Sequence, residues 1–278
     1  MNHQGLTQHI RSQAQWPLYN AAQTRAIELQ AQATLPAHTL MQRAGLATAQ
    51  LALAIAPHAQ KIWVACGPGN NGGDGLEAAL HLQAWGKEPI VTWLGDHHHA
   101  PADAQQAWQR AKAAGVSFAE HIPEQFDLAI DALLGIGGQR APEGVMAQWL
   151  AALQTTRVHV LCIDIPTGLN ADTGEWLGIA SAHHTNAQRH TLSLLTLKPG
   201  LFTADGRDAA GQVWFNDLHI DTSHAPSAWL QQNFATQNTR PHNTHKGSFG
   251  DVSVLGGAPG MSGAATLAAV AALHGGAG

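Results

Sequence analysis

The chain begins with two helical patterns and then alternates short apolar runs with longer amphipathic stretches. Within residues 21–58, "AAQTRAIELQAQA" and "HTLMQRAGLATAQLALAIA" carry apolar residues at helical spacing and are bounded by Pro36 and Pro57. Six later runs are short, apolar and rich in β-branched residues, which predicts strands: "KIWVAC" (61–66), "PIVTWLG" (89–95), "FDLAIDALLG" (126–135), "VHVLCIDIP" (158–166), "TLSLLTLKPG" (191–200) and "GQVWFNDLHI" (211–220).

Strands that alternate with helices predict parallel βαβ units, here a three-layer αβα Rossmann-like sandwich with a mostly parallel sheet over residues 1–220. Nearly continuous apolar strands fit a sheet that is covered on both faces. Residues 221–243 are polar, Gln/Asn-rich and bounded by prolines, so we expect a linker there. A second strand–loop–helix pattern then begins. It cannot bury a core of its own, so residues 244–278 are predicted to be the incomplete start of a second domain.

Composition narrows the class of protein. The chain has 278 residues, 45% of them hydrophobic, which is typical of a globular fold. A formal net charge of −5 and the lack of any Lys/Arg run argue against a nucleic-acid partner. The first twenty residues lack a secretory-signal pattern, and no apolar stretch approaches membrane-spanning length. We therefore expect a soluble, cytoplasmic protein with no membrane partner, in which both cysteines are buried free thiols.

The first predicted strand is followed by the glycine-rich turn "GPGNNGGDG", residues 67–75, and then by a predicted helix. The turn fits the G-x-G-x-x-G pattern, in which glycines let backbone N–H groups approach an anion at a helix N-terminus. Asn70 and Asn71 add amide oxygens, which suit a monovalent cation or the hydroxyls of a nucleotide. For Asp74 an alternative remains open, because it could be the N-cap of a helix that begins near Leu76.

Other predicted strands also end in polar residues. Asp131 ends one strand, Asp164 and Thr167 follow the next, and Lys198 follows a third. Each of them alone could be a turn or cap residue. Because ligands in open α/β sheets bind outside the carboxyl ends of the strands, the set as a whole predicts one shared site.

These motifs, in this order and spacing, resemble a known family. "GPGNNGGDG", "DALLGIG", "IDIPTGLNADTG", "LKPG" and the helical "LMQRAG" are similar to the NAD(P)HX epimerase domain, also called the YjeF N-terminal domain. The tail from "HKGSFGDVSVLGGAPG" onward resembles the beginning of the ADP/ATP-dependent NAD(P)HX dehydratase domain, which has a ribokinase-like fold. Together they resemble the bifunctional NAD(P)H-hydrate repair enzymes.

The resemblance implies an activity and a set of site residues. The expected activity is epimerisation of the R and S forms of hydrated NADH or NADPH at C6 of the nicotinamide ring, in a homodimer. Substrate binding is implied for Asn70, Asn71, Gly72, Gly73, Asp74, Gly135, Ile136, Gly137, Gly138, Gln139, Arg140, Ala141 and Asp164. A potassium ion is implied at Asn71, Asp131 and Thr167. Full-length relatives also dehydrate the S form with ADP or ATP, which is not expected of the incomplete segment 244–278.

The chemistry of the substrate suggests roles for two further side chains. C6 of the hydrate carries both the ring nitrogen and a hydroxyl, so its epimerisation needs an acid and a base but no redox partner. We hypothesise that Asp164 and Lys198 are this catalytic pair. Two alternatives remain: an NAD-dependent dehydrogenase, which shares the strand–turn–helix pattern, and a non-catalytic binding protein on the same fold.

Overall fold

The computed structural model describes residues 5–11, 14–96, 98–178, 188–231, 243, 245 and 247–277. The chain divides into two compact units, 1–233 and 234–278, and each is described by itself. The strands are β1 Gln8–His9, β2 Trp16–Leu18, β3 Lys61–Cys66, β4 Glu88–Trp93, β5 Ser117–Phe118, β6 Leu128–Ala132, β7 His159–Ile163, β8 Arg189–Leu194, β9 Gln212–Asn216 and β10 Ala228–Leu230. The helices are α1 Ala21–Gln32, α2 Thr39–Ile55, α3 Asn70–Ala84, α4 Ala102–Ala113, α5 Gly144–Thr155, α6 Gly206–Ala209 and α7 Gly263–Gly275, with a 3₁₀ turn at Pro199–Leu201.

The first unit is built on an eight-stranded sheet in the order β1-β9-β8-β7-β6-β3-β4-β5. All neighbours pair in parallel except β1, which runs antiparallel to β9 at one edge. The predicted α/β architecture with a mostly parallel sheet is therefore confirmed, and each of the six predicted strand runs contains a strand. β3 ends where its run ends, at Cys66, whereas the other five strands stop earlier because the last residues of their runs turn into loops.

Both faces of the sheet are covered, as the apolar strands require. Along β3, Ile62 and Val64 belong to a core shared with α1 to α4, whereas Trp63 and Ala65 belong to a core shared with α5. This alternation follows from the period of two in a strand, which sends neighbouring side chains to opposite faces. Both cysteines are buried free thiols, as expected.

Two segments differ from the sequence expectation. Residues 228–230, within the predicted linker 221–243, form β10, which pairs antiparallel with β2 in a small second sheet. This pairing ties the start of the predicted linker to the first unit, while residues 232–242 of it lie outside the described residues. In the second unit, the apolar run "VSVL" (252–255) is exposed and forms no strand, because the described part of that unit offers it no partner strand. α7 follows as expected.

The glycine-rich turn joins β3 to α3 by close packing. α3 begins at Asn70 with Gly69 as its N-cap, so Asp74 lies inside the helix, and the alternative that it caps a helix starting near Leu76 is wrong. The helix starts early because tertiary packing overrides the poor helix propensity of Asn and Gly. A Cβ on Gly72 would lie 2.0 Å from the carbonyl oxygen of Gly67, and one on Gly67 would lie 1.8 Å from that of Leu133. Only glycine fits at these two positions.

The sheet order defines where a ligand would bind. From β3 the chain moves to β4 on one side, and it later returns to β6 on the other side of β3. The carboxyl ends of β3 and β6 therefore form a topological switch point, where open α/β sheets bind ligands. Among the described residues, no helix is both long and apolar enough to span a membrane.

Candidate active site

A cavity of about 420 Å³ opens at this switch point. Its walls come from α1, the first two turns of α2, the glycine-rich turn with the start of α3, the start of α4, the loop 133–138 after β6, and residues at or after the ends of β7, β8 and β9. Each predicted strand-end motif places at least one residue in the lining of this cavity or directly behind its wall. The fold thus brings these residues together, and that they bind one ligand stays a prediction.

Asp164 and Lys198 form a buried ion pair at the cavity wall. The Lys198 side chain is 0% exposed, and its Nζ donates to Asp164 Oδ1, to the Leu194 carbonyl oxygen at 2.7 Å and to Ser193 Oγ at 3.3 Å. Asp164 Oδ2 accepts a hydrogen bond from the Ile136 N–H at 3.3 Å, and Asp164 lines the cavity. The ammonium therefore holds the carboxylate from behind, and the carboxylate faces the cavity.

The backbone of Asp164 is strained. Its φ is +69°, a left-handed conformation that non-glycine residues rarely adopt. Its N–H donates to the Leu192 carbonyl oxygen at 2.7 Å, so the strained residue is anchored to the end of the neighbouring strand β8. Strain of this kind persists where the surroundings over-determine it, and such positions cluster at functional sites.

Asn71, in the first turn of α3, points a buried amide at the same part of the cavity. The residue is 9% exposed, and its Nδ2 has no hydrogen-bond partner among the residues that the structure describes. A Cβ on Gly135 would lie 3.2 Å from Asn71 Oδ1 and 3.1 Å from Asp164 Oδ2. The glycine therefore allows the loop to pass close to both side chains. An unsatisfied buried donor beside a cavity is a group that a ligand can satisfy.

Asp131 and Thr167 lie directly behind this wall. Thr167 donates from its Oγ1 to Asp131 Oδ1 at 2.6 Å and from its N–H to Oδ2 at 3.1 Å, and Oγ1 accepts from the Leu134 N–H at 3.0 Å. Burial raises the pKa of Asp131, and the hydrogen bonds from Thr167 and Leu133 oppose that rise. Asp131 makes no ion pair with any residue that the structure describes.

Three more carboxyl groups line the cavity beside Asp164: Glu28 on α1, Asp74 on α3 and Asp103 on α4. Burial, followed by the charges of Asp164 and Glu28, raises the pKa of Asp74 well above its usual range. Burial and then Asp164 also raise the pKa of Glu28. Asp103 is paired with His38, 2.9 Å away. The raised pKa of Asp74 and of Glu28 therefore favours their protonated forms, beside the lysine-bound carboxyl group of Asp164.

The structure brings most of the predicted residues to the cavity. Those that line it are Asn70, Asn71, Asp74, Gly135, Ile136, Gly137, Gly138 and Asp164. Gly72 and Gly73 are buried in packing contacts of α3, and Asp131, Thr167 and Lys198 lie behind the wall. Gln139 and Arg140 are exposed beyond the lining loop, and Ala141 packs near Gly178, so a substrate contact of these three stays a prediction.

Sequence reasoning missed the contribution of the helices. Arg25 and Glu28 on α1 and Asp103 on α4 all line the cavity. The sequence of α1 indicated this contribution only weakly: Glu28 stands four residues after Thr24, which is one of the buried residues of the helix. No pattern within a helix tells which neighbour its polar face will meet.

Comparison with known proteins assigns the family. The family described as YjeF-related protein N-terminus matches residues 37–200, more than half of the chain. The chain belongs to this YjeF N-terminal family. The matched range contains every predicted site residue, whereas α1 precedes it.

Curated relatives of this YjeF-family chain are bifunctional enzymes. The Bifunctional NAD(P)H-hydrate repair enzyme Nnr of Escherichia coli (strain K12) is 37% identical over 257 residues, which cover 88% of this chain and 48% of the relative. The enzyme of the same name from Coxiella burnetii is 33% identical over 272 residues, covering 94% and 55%. The chain thus spans about half the length of the curated relatives that it matches.

One solved structure supports the fold. The crystal structure of yeast ynu0, YNL200c, superposes on the YjeF-family chain with a TM-score of 0.56 and 22% identity, covering 66% of this chain and 82% of the yeast chain. At that identity the likeness concerns the fold alone.

Proposed function

We propose that the chain is an NAD(P)H-hydrate epimerase, which interconverts the R and S forms of NADHX or NADPHX at C6. The observation that carries the proposal is the Asp164 carboxylate, held by the buried Lys198 and facing a cavity at the switch point beside the unpaired amide of Asn71. Membership of the YjeF N-terminal family and the names of the curated relatives support it.

The reaction moves protons without transferring electrons to a partner. The C6–O bond breaks as the hydroxyl oxygen takes up the proton of the Asp74 carboxyl group and leaves as water, and the electrons of the ring nitrogen form an iminium. Water then adds to the opposite face of C6 and gives up a proton. We assign Asp164 as the base that receives this proton, with its negative charge stabilising the cationic iminium. Lys198 orients Asp164 and compensates its negative charge. Exchange through water in the cavity then returns a proton from Asp164 to Asp74.

Potassium is part of the proposal. The amide of Asn71, the carboxylate of Asp131 and the hydroxyl of Thr167 supply the neutral and anionic oxygens that suit an alkali cation. A buried carboxylate that lacks an ion pair within the described residues gives such a cation a charge to neutralise. When bound, the ion would offset negative charge and order the glycine-rich turn. The expected result is a higher Tm in potassium chloride than in sodium chloride at equal ionic strength, with a smaller difference for Asp131→Asn.

The decisive experiment mixes the purified chain with pure (R)-NADHX and follows the R/S ratio by chromatography, with and without potassium. We expect equilibration far faster than in buffer. Asp164→Asn should slow it by at least about 100-fold, the usual contribution of a general base. Asp208→Asn, at an exposed position of α6, is the matched control. If Asp164→Asn equilibrates the hydrate as fast as Asp208→Asn, the role of Asp164 is wrong. If the unaltered chain does not accelerate equilibration, the proposed function is wrong.

The other predicted properties stay expectations with simple tests. A dehydrogenase would change nicotinamide absorbance with an alcohol or aldehyde, and an epimerase would not. Loss of hydrate on addition of ADP or ATP to the 278-residue chain would reveal a dehydratase activity, which an epimerase lacks. The homodimer is tested by light scattering and the cytoplasmic location by fractionation.

A further inference from the structure

The charges that line the cavity are unevenly distributed. Glu28, Asp74, Asp103 and Asp164 supply carboxyl groups, whereas Arg25 is the one cationic side chain among the described residues of the lining. Arg25 lies on α1, next to the loop 135–138 rather than next to the buried Lys198. Most of the described lining of the cavity is therefore acidic, and Arg25 is its one basic side chain.

The guanidinium of Arg25 is largely free to bind a ligand. Its Nη2 donates to the Ile136 carbonyl oxygen at 3.4 Å, a long hydrogen bond, and lies 3.9 Å from where a Cβ on Gly137 would be. The side chain is exposed and makes no ion pair with any described residue. Most of its N–H donors are therefore available to a bound anion.

Arg25 and Asp164 are joined through one residue. The N–H of Ile136 donates to Asp164 Oδ2, and the carbonyl of Ile136 accepts from Arg25. Asp164, the proposed base, thus contacts the peptide group before Ile136, and Arg25 contacts the peptide group after it. A substrate whose reacting ring meets Asp164 can extend along this loop towards Arg25.

We propose that Arg25 binds a phosphate of the substrate and fixes its orientation, with the hydrated ring at Asp164 and the diphosphate at Arg25. This inference rests on the proposed epimerase function. The ring end of the substrate is neutral and offers hydroxyl and amide groups to the carboxyl groups of the cavity, whereas the diphosphate is repelled by the Asp164 carboxylate. A guanidinium binds phosphate through parallel charge-assisted hydrogen bonds, which Gly137 and Gly138 leave room for. The reverse orientation would place the phosphates against the carboxylates of Asp164 and Asp103.

The kinetic test compares Arg25→Gln with Arg207→Gln. Arg207 is an exposed arginine of α6 outside the cavity, so its variant has the same change of net charge. For NADHX we expect the KM of Arg25→Gln to rise about tenfold, as for a charge-assisted hydrogen bond near solvent, with kcat within about twofold. The KM of Arg25→Lys should lie between the KM values of Arg25→Gln and Arg207→Gln. Added salt should raise the KM of Arg207→Gln more steeply than that of Arg25→Gln.

Two further ligands separate phosphate recognition from a structural role. The hydrate of reduced nicotinamide riboside has no phosphate, so Arg25→Gln and Arg207→Gln should turn it over with the same KM. ADP-ribose has the diphosphate but no nicotinamide, and calorimetry should show about tenfold weaker binding to Arg25→Gln than to Arg207→Gln. Equal ADP-ribose affinities, or an equal rise of KM for the phosphate-free hydrate, would overturn the proposal.

The ADP-ribose measurement needs no turnover. If the unaltered chain binds ADP-ribose through Arg25 but does not epimerise NADHX, the phosphate site stands and the epimerase assignment fails. If the unaltered chain epimerises NADHX but Arg25→Gln and Arg207→Gln bind ADP-ribose equally well, the epimerase assignment stands and the phosphate site at Arg25 fails.

Discussion

Replacing Lys198 by methionine tests the central physical claim about the site. The methionine keeps most of the apolar stem and removes the ammonium. The change leaves the Asp164 carboxylate without its ion-pair partner and the Leu194 carbonyl oxygen without its 2.7 Å donor. The remaining support of Asp164 is the 3.3 Å hydrogen bond from Ile136 and the cavity itself.

The structure sets the size of the effect. Removing one partner of a buried ion pair costs about 3–5 kcal/mol. The Lys198 side chain is fully buried, but that of Asp164 retains 13% exposure, so water from the cavity can partly solvate the orphaned carboxylate. We therefore expect the lower end, a loss of about 3 kcal/mol in the free energy of unfolding. Lys61→Met, at the exposed first residue of β3, should change it by less than about 0.5 kcal/mol.

Denaturant unfolding followed by tryptophan fluorescence measures this loss, because Trp63 is completely buried in the core. A double-mutant cycle with Asp164→Asn isolates the pair. Each single variant leaves one group uncompensated, so the double variant should be more stable than the sum of the single losses by about 2 kcal/mol. A coupling below about 0.5 kcal/mol would show that the two groups do not form a stabilising pair in solution, and the reasoning would be refuted.

Three other predictions concern single positions. Gly72→Ala should lower Tm sharply because its Cβ would meet a carbonyl oxygen at 2.0 Å, whereas Gly69→Ala, with nothing within 4 Å, should change the free energy of unfolding by less than about 1 kcal/mol. Burial lowers the pKa of His190 from 6.5 to about 4, so unfolded chains bind the extra proton and the free energy of unfolding should fall as pH drops from 6.5 to 4, by up to about 3 kcal/mol. Urea denaturation across that range should show a shallower fall for His190→Gln, and an unchanged slope would contradict the assignment. Thr167→Val removes the 2.6 Å hydrogen bond to buried Asp131 and should cost about 1–3 kcal/mol and weaken the Tm response to potassium, whereas Thr167→Ser should retain both.

The sheet was predictable from the sequence because its strands are buried on both faces. Strands that are buried on both faces, such as β3 and β7, read as nearly continuous apolar runs, and such runs are visible without a structure. The short strands were not predictable. β10, for example, has three residues, and an alternation of apolar and polar positions can be recognised only over a longer stretch. β10 forms because β2 offers it an edge, which is information about tertiary structure.

The site was predictable only in its strand-end part. Asn71, Asp131, Asp164 and Thr167 follow strands, and parallel strands bring their carboxyl ends to one edge of the sheet, so their neighbourhood follows from topology. Arg25 reaches the same cavity from a helix that precedes the strands. The position of Arg25 depends on the angle at which α1 packs against the sheet, and no local sequence pattern encodes this packing angle.

Burial of polar groups alone does not identify this site, because the opposite end of the sheet also buries them. Arg189 donates to the Leu153 carbonyl oxygen at 3.1 Å, and His190 accepts from Trp214 at 3.4 Å, so both of these buried groups have a partner. At the carboxyl end, by contrast, Asn71 has an unsatisfied donor and Asp164 a strained backbone, and both face a cavity. A fold tolerates such defects where a ligand or a reaction uses them. The coincidence, among the described residues, of an orphaned amide, a strained carboxylate and open space therefore makes this end of the sheet the candidate site independently of any family resemblance.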